Sequence, residues 1–245
     1  MTRALHWLGP PGSPVRFPPP QAALKEPDGL LAAGGDLSAG RLLAAYRAGI
    51  FPWYEAGQPI LWWSPNPRTV IFPAELHVPR RFRRVLSRGV FTASFDNDFG
   101  AVIRGCARLD EAQTGTWITP EMIAAYENLH ALGYAHCVET WHDDTLVGGL
   151  YGVALGRAFF AESMFSRVSN ASRVALTHLA ATLQAHGFRL IDCQLPSAHL
   201  ARLGARDLPR SDFLALLESC VSLPAPEADC WSRERVLVEP PGPAH

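Results

Sequence analysis

The stretch YAHCVETWHDDTLVGGLYGVALGRAFFAESMF, residues 134–165, decides the fold class of this 245-residue chain. Its apolar and β-branched runs predict three strands, over residues 134–141, 145–155 and 157–165. His142-Asp143-Asp144 separates the first two strands as a turn. We therefore predict an antiparallel meander of three strands at this point of the chain.

Helical patterns flank the meander on both sides. Thr119-Pro120-Glu121 supplies a cap, a proline at the first helical position and an early acid, and an apolar stripe follows it as far as Gly133. Beyond the meander we predict a helix capped at Asn170 and ended at Gly187, a strand over 188–194 and a helix over 210–220. The order helix, meander, helix, strand, helix predicts a mixed α/β (α+β) fold with a mostly antiparallel sheet, an order that recurs in GNAT-type acyltransferases.

The first 67 residues have a different texture. A proline-rich lead-in precedes one short helix, predicted between Asp36 or Ser38 and Gly49. Residues 48–72 then combine aromatic side chains with prolines, which favours a rigid, loop-rich segment. We predict a small N-terminal domain over 1–67 and a second domain over 68–245, with the GNAT-type element order, that ends in a flexible tail.

Composition and charge exclude several classes of protein. Hydrophobic residues make up 48% of the chain, charged residues 18%, and the net charge is −1, which excludes disorder over the whole length. The sequence has neither a membrane-length apolar run nor a secretory signal, so we expect a cytoplasmic protein. The five cysteines lack CxxC spacing, the histidines lack HExxH spacing, and nucleotide-binding glycine loops are absent. We expect neither a metal nor a cofactor.

Glu162 interrupts an otherwise apolar predicted strand. Strict alternation places Glu162 and Met164 on one face and Phe165 on the other. A carboxylate on a buried face needs a partner or a function, whereas on a solvated face it needs neither.

Asp192 and Gln194 follow one another at the end of another apolar strand. Alternation places their side chains on one side, within reach of each other, and Cys193 on the other side, in the core. Such a pair can polarise an amine. The alternative is a strand end at which both side chains satisfy backbone groups before Pro196.

Five arginines form a basic segment with no acid between Glu75 and Asp96. A local patch of this kind suits nucleic-acid phosphates, and its alternative is a solvated helix face. The five are Arg80, Arg81, Arg83, Arg84 and Arg88.

Six motifs stand in order along the chain: Phe51-Pro52-Trp53, Trp62-Trp63-Ser64-Pro65, Gly115-Thr116-Trp117-Ile118, Gly148-Gly149-Leu150-Tyr151-Gly152, Glu162-Ser163-Met164-Phe165-Ser166 and Ile191-Asp192-Cys193-Gln194. Together they resemble the leucyl/phenylalanyl-tRNA-protein transferase family. The resemblance implies transfer of Leu or Phe from aminoacyl-tRNA to the α-amine of proteins beginning with Arg or Lys, which marks those proteins for degradation in the N-degron pathway. It implies no metal and no acyl-CoA.

The resemblance also suggests roles for individual residues. Asp192 is expected to polarise Gln194, whose carbonyl oxygen draws a proton from the amine, and Glu162 to orient the site or hold the acceptor's basic side chain. The terminal adenosine of the tRNA is expected to stack on Trp53, Trp117 and Tyr126. The donor side chain is expected to lie in an apolar pocket, which also admits Met, lined by Met164, Leu176, Leu179 and Leu183, although the leucine stripe is equally typical of helix core.

Two other functions stay open on the sequence. An acyl-CoA N-acyltransferase would share the fold, but residues 167–172 carry Asn and Ser where a pyrophosphate loop needs glycines. A noncatalytic tRNA-binding protein would need the arginines but neither Asp192 nor Gln194. We expect a monomer, because heptad patterns are absent.

Overall fold

The computed structural model describes residues 5–107 and 117–240. The strands are β1 (His6–Leu8), β2 (Leu30–Gly34), β3 (Phe51–Pro52), β4 (Leu61–Trp63), β5 (Arg68–Ile71), β6 (Thr92–Phe95), β7 (Ala135–His142), β8 (Thr145–Leu155), β9 (Ala158–Ser166), β10 (Leu190–Gln194), β11 (Arg206–Leu208) and β12 (Val236–Leu237). The helices are α1 (Ala39–Arg47), α2 (Arg80–Leu86), α3 (Phe99–Ala107), α4 (Pro120–Ala131), α5 (Ala171–Ala185), α6 (Ala198–Ala201) and α7 (Arg210–Val221).

The predicted meander is confirmed, because β7, β8 and β9 pair antiparallel in that order. The helices predicted before and after it are confirmed as α4, α5 and α7, and the short N-terminal helix as α1. Thr119 caps α4 as predicted, since its hydroxyl oxygen accepts the Met122 N–H at 3.3 Å. Asn170 does precede α5, but it adopts a left-handed conformation and its side chain makes no capping bond.

Two sheets organise the chain. The first has the order β1-β2-β4-β3, and the second has the order β11-β5-β10-β9-β8-β7-β6-β12. Within the second sheet only β9 and β10 run parallel, because α5 crosses over between them. The predicted mixed α/β fold with a mostly antiparallel sheet is confirmed.

The large sheet separates two apolar cores. One core contains α3, α4 and α7 and extends into the N-terminal segment through α1 and Trp62. The other lies beneath α5 and α2. The N-terminal segment therefore shares a core with the larger sheet, while the division at residue 67 stays a prediction.

Several elements were not predicted from the sequence. The strands β5 and β6 have four residues each, and their partners lie far along the chain, so local patterns gave no signal for them. The helix α3 did carry a signal, because Phe99, Val102, Ile103 and Cys106 have helical spacing. The lead-in includes β1, which pairs parallel with β2.

No helix in the described ranges is long and apolar enough to cross a membrane. The tail predicted to be flexible lies, apart from Pro240, outside the described residues, and so do Gly115 and Thr116 of the third motif.

Candidate active site

A β-bulge in β9 determines the face of the sheet on which the Glu162 side chain lies. Tyr151 pairs with Ser163 and Gly152 pairs with Ala161, so Glu162 is the extra residue on β9. The predicted alternation is therefore wrong at this position: Glu162 and Met164 lie on opposite faces of the sheet. The Tyr126 hydroxyl donates to Glu162 Oε2 at 3.0 Å, while Met164 packs into the core beneath α5.

Buried tyrosines surround the Glu162 carboxyl. Tyr46 and Tyr126 share a short hydroxyl–hydroxyl hydrogen bond, and the Tyr126 and Tyr151 rings lie 5.4 Å apart. Burial raises the pKa of Glu162 to about 7, although hydrogen bonds from Tyr46 and Tyr126 oppose that rise. Oε1 of Glu162 is buried and has no hydrogen-bond partner among the described residues. The site thus holds a carboxyl that changes charge near neutral pH.

The burial of Tyr126 beside Glu162 corrects the prediction that its ring stacks on adenosine. A ring that receives adenosine must offer an open face, but Tyr126 is 0% exposed. Tyr126 is instead a hydrogen-bond partner of Glu162. Local patterns do not indicate that Tyr46 or Tyr151 contacts Glu162, because each tyrosine stands at an ordinary core position.

Asp192 is also buried, with 0% exposure, but it has a different partner. Arg68 Nε donates to Asp192 Oδ1 at 2.7 Å and Arg68 Nη2 donates to Oδ2 at 2.6 Å. The backbone N–H of Gln194 donates to Oδ1 at 3.0 Å. The predicted contact between the Asp192 carboxylate and the Gln194 side-chain amide is therefore wrong: Asp192 holds the backbone of Gln194.

Arg68 is the residue that sequence reasoning missed. Its guanidinium lies between the Phe51 and Phe213 rings, 4.8 and 4.7 Å from their centroids, and Nη1 donates to the Gly49 carbonyl at 3.2 Å. Asp192 is 124 residues away in the sequence, so no local pattern joins the two. Arg68 connects the N-terminal segment to the end of β10.

The end of β10 is irregular. Gln194 has φ of 58°, and the register against β5 shifts between Asp192 and Gln194. Nε2 of Gln194 is buried and unpartnered within the described part of the chain. Cys193, predicted to be core, is half-buried and packs against the core beneath α5, yet it also reaches the cavity wall, and burial raises the pKa of its thiol. The left-handed backbone turns the Gln194 side chain out of the simple alternation of a strand.

A cavity of about 240 Å³ brings the polar groups together. Trp53 and Trp117 form part of its wall beside Glu162 and Gln194. The full lining is Phe51, Pro52, Trp53, Trp117, Glu162, Cys193, Gln194 and Leu195. Four of the predicted site residues, Trp53, Trp117, Glu162 and Gln194, thus line one cavity. Asp192 binds the backbone N–H of Gln194 in its wall.

A larger cavity of about 710 Å³ adjoins the first through the same two tryptophans. Trp53 is 40% exposed, and its ring lies 5.5 Å from that of Trp63. Its lining is Trp53, Tyr54, Glu55, Ala56, Gln58, Leu61, Trp63 and Trp117. Open aromatic faces of this kind suit a nucleobase.

The leucine stripe does not line either of these two cavities. Leu176, Leu179 and Leu183 are at most 2% exposed and pack into the core on the Met164 face of the sheet. In this structure the stripe is helix core, and it is not part of the wall that holds Glu162 and Gln194. That placement corrects the expectation of an open pocket along the stripe.

The basic segment forms α2 and the turn after it. Arg80, Arg81, Arg84 and Arg88 are exposed, and Arg83 is half-buried with Nε donating to the Val78 carbonyl at 3.2 Å. None of the five lines the two cavities described above.

Comparison with known proteins identifies the family. Residues 70–218 match the model of the leucyl/phenylalanyl-tRNA protein transferase, and residues 35–66 match the model of its N-terminal domain. The leucyl/phenylalanyl-tRNA–protein transferase of Azotobacter vinelandii is 58% identical over 86% of this chain and 93% of that protein. The enzyme of the same name from Aromatoleum aromaticum is 58% identical over 89% of this chain and 92% of that protein.

Among solved structures, a GCN5-related N-acetyltransferase from Kribbella flavida matches with a TM-score of 0.35 and 15% identity. The match covers 70% of this chain and 61% of that chain. The family models and the two relatives extend over most of the sequence. The chain belongs to the leucyl/phenylalanyl-tRNA–protein transferase family and is an aminoacyltransferase.

Proposed function

We propose that this aminoacyltransferase joins Leu or Phe to the α-amine of proteins beginning with Arg or Lys, in the cavity that holds Glu162 and Gln194. The observation that supports this site is the meeting of two unpartnered polar groups, Glu162 Oε1 and Gln194 Nε2, beside two tryptophans. A buried polar atom without a hydrogen-bond partner raises the free energy of the folded protein, so a polar ligand that supplies the missing hydrogen bond binds favourably there. The product is an acceptor protein marked for degradation. A monomer of this chain carries out the reaction in the cytoplasm.

The protein does not have to activate the donor, because an aminoacyl ester is already reactive toward an amine. The amine nitrogen forms a bond to the ester carbonyl carbon, the bond from that carbon to the ribose oxygen breaks, and the proton lost by nitrogen ends on the ribose oxygen. The main contribution of the site is to hold amine and ester together. Gln194 provides an amide oxygen that accepts a hydrogen bond from the amine and directs it toward the ester.

Glu162 prepares the amine for attack. An α-ammonium has an ordinary pKa of about 7.7–8.0, and the pKa of Glu162 is raised to about 7 by burial. Proton transfer from the ammonium to the carboxylate therefore costs only about 1 kcal/mol. Asp192 acts through the backbone of Gln194 and is a positioning residue.

The donor occupies the tryptophan side of the site. Trp53 and Trp117 stack the terminal adenosine, and stacking contributes about 1–3 kcal/mol per base. The α2 arginines bind phosphates farther along the tRNA, outside both cavities. Met164 lies on the opposite face of the sheet, packed against the core beneath α5, so it is not our candidate contact for the donor side chain in this cavity.

The test is transfer of radiolabelled Leu from Leu-tRNA to a peptide that begins with Arg. In Gln194→Ala we expect a transfer rate about 10²-fold lower, with aminoacyl-tRNA binding unchanged. Gln184→Ala, on the exposed face of α5, is the matched control and keeps the normal rate. A normal rate in Gln194→Ala removes that residue from the site, and binding without transfer in the wild type supports a noncatalytic tRNA-binding protein.

A further inference from the structure

A third cavity lies on the β5 side of the β10 end. It has a volume of about 310 Å³ and is lined by Thr69, Pro196, Ser197, Ala198, Ala201, Ala205 and Asp207. Thr69 on β5 is the strand partner of Gln194, and Pro196 follows Gln194 by two residues. Because neighbouring strands lie about 5 Å apart, this cavity begins one strand away from the proposed reaction centre.

Asp207 is the charged group of this cavity. It is exposed on β11, and its Oδ1 accepts a hydrogen bond from the Thr69 hydroxyl at 2.6 Å, which fixes the carboxylate toward the cavity wall. In the described parts of the chain no basic side chain forms an ion pair with Asp207. The adjacent Arg206 is paired with Glu75 instead. The Asp207 charge is thus available to a cation from outside.

Three other acids of the described ranges, Asp192, Glu162 and Glu55, lie near the reaction centre and already have a partner or an assigned ligand. Asp192 is neutralised by Arg68, and both are buried. Glu162 is enclosed by tyrosines and is partly protonated at neutral pH. Glu55 lines the larger cavity on the tryptophan side, which we assign to adenosine. Of these four described acids, Asp207 is the one left to meet a cationic side chain that accompanies the amine.

We propose that the Asp207 cavity binds the cationic side chain of the acceptor's first residue and selects Arg and Lys over neutral residues. This inference rests on the proposed function, because it takes the α-amine to lie at Gln194. The small side chains of Ala198, Ala201 and Ala205 leave room for a long chain, and Thr69 holds the anion in place. A guanidinium or ammonium group then meets the carboxylate in a charge-assisted hydrogen bond.

The test compares two peptides that differ only in the first residue, arginine or its neutral isostere citrulline. In Asp207→Asn the ratio of kcat/KM for the two peptides falls about tenfold, as expected for one charge-assisted bond at an exposed site. Asparagine keeps an oxygen for the Thr69 hydroxyl, and the citrulline peptide reports on correct folding in the same preparation. The KM for aminoacyl-tRNA stays at the wild-type value.

Asp212→Asn is the matched control, because Asp212 is an exposed aspartate on α7 that also accepts a hydroxyl hydrogen bond, from Ser211 at 3.0 Å. The control keeps the wild-type ratio. An unchanged ratio in Asp207→Asn overturns the inference. If Asp207→Asn does not fold, Ala201→Lys places a competing cation on the cavity wall and must lower the same ratio. Failure of the wild-type enzyme to prefer arginine counts against the proposed acceptor class instead.

Discussion

The buried pair of Arg68 and Asp192 makes the site's architecture testable by a double-mutant cycle. The three variants are Arg68→Met, Asp192→Asn and their combination. Methionine fills much of the space between the Phe51 and Phe213 rings, so that the loss of charge dominates over the loss of volume. Asparagine keeps an oxygen that can accept the Gln194 N–H.

The expected magnitudes follow from burial. Removing Arg68 leaves a fully buried carboxylate with the Gln194 N–H as its remaining partner, and removing the Asp192 charge leaves a buried guanidinium with the Gly49 carbonyl. Breaking a buried ion pair by removing one partner costs about 3–5 kcal/mol. The double variant leaves no uncompensated charge, so its loss is expected to be at least about 2 kcal/mol smaller than the two single losses combined.

The measurement is urea unfolding at pH 7, followed by tryptophan fluorescence, with the slope against urea checked for each variant. Losses that add to within about 0.5 kcal/mol would refute the coupling. Such a result would mean that the two side chains do not stabilise each other in the folded protein.

Three further predictions concern other parts of the molecule. Because the folded-state pKa of Glu162 is about 7 and its ordinary value is 4.5, the stability that this residue contributes is full below pH 4.5 and is lost as the pH rises through 7. In Glu162→Gln, the change in the free energy of unfolding between pH 4.5 and pH 7, measured with urea, should be smaller by up to about 3 kcal/mol. Replacing Arg83 and Arg84 with glutamine should flatten the salt dependence of aminoacyl-tRNA binding by up to about two in log–log slope, and an unaltered slope rejects the patch. In Gly152→Ala the new Cβ would clash with the Phe160 carbonyl, so unfolding experiments should show a loss of about 1–3 kcal/mol.

The regular elements of the site were predictable because their signals are local. The cap at Thr119, the proline after it and the apolar stripe that includes Tyr126 determine α4 within about a dozen residues. The meander was predictable for the same reason, since its strands are long and its turns are short. These elements carry Glu162 and bring it beside the end of β10.

The orientation of the reactive side chains was not predictable in the same way. Strict alternation would have placed Glu162 with Met164, but the bulge on β9 moves it to the other face. Alternation would also have aimed the Asp192 carboxylate at the Gln194 amide, but Arg68 takes that carboxylate. The second outcome depends on Arg68, which is 124 residues from Asp192, and the first on a bulge that strict alternation does not include.

The α5 crossover and the β9 bulge therefore bring two acids to one site. The crossover through α5 makes β9 and β10 parallel, so Glu162 and Asp192 both approach the same end of the sheet. The bulge at Glu162 sends one carboxyl among tyrosines, where burial raises its pKa to about 7. The opposing guanidinium of Arg68 keeps the other carboxyl paired and fixed. The two neighbouring carboxyls thus have different partners: Glu162, among tyrosines, is suited to exchanging a proton, whereas Asp192, paired with Arg68, is suited to holding Gln194 in place.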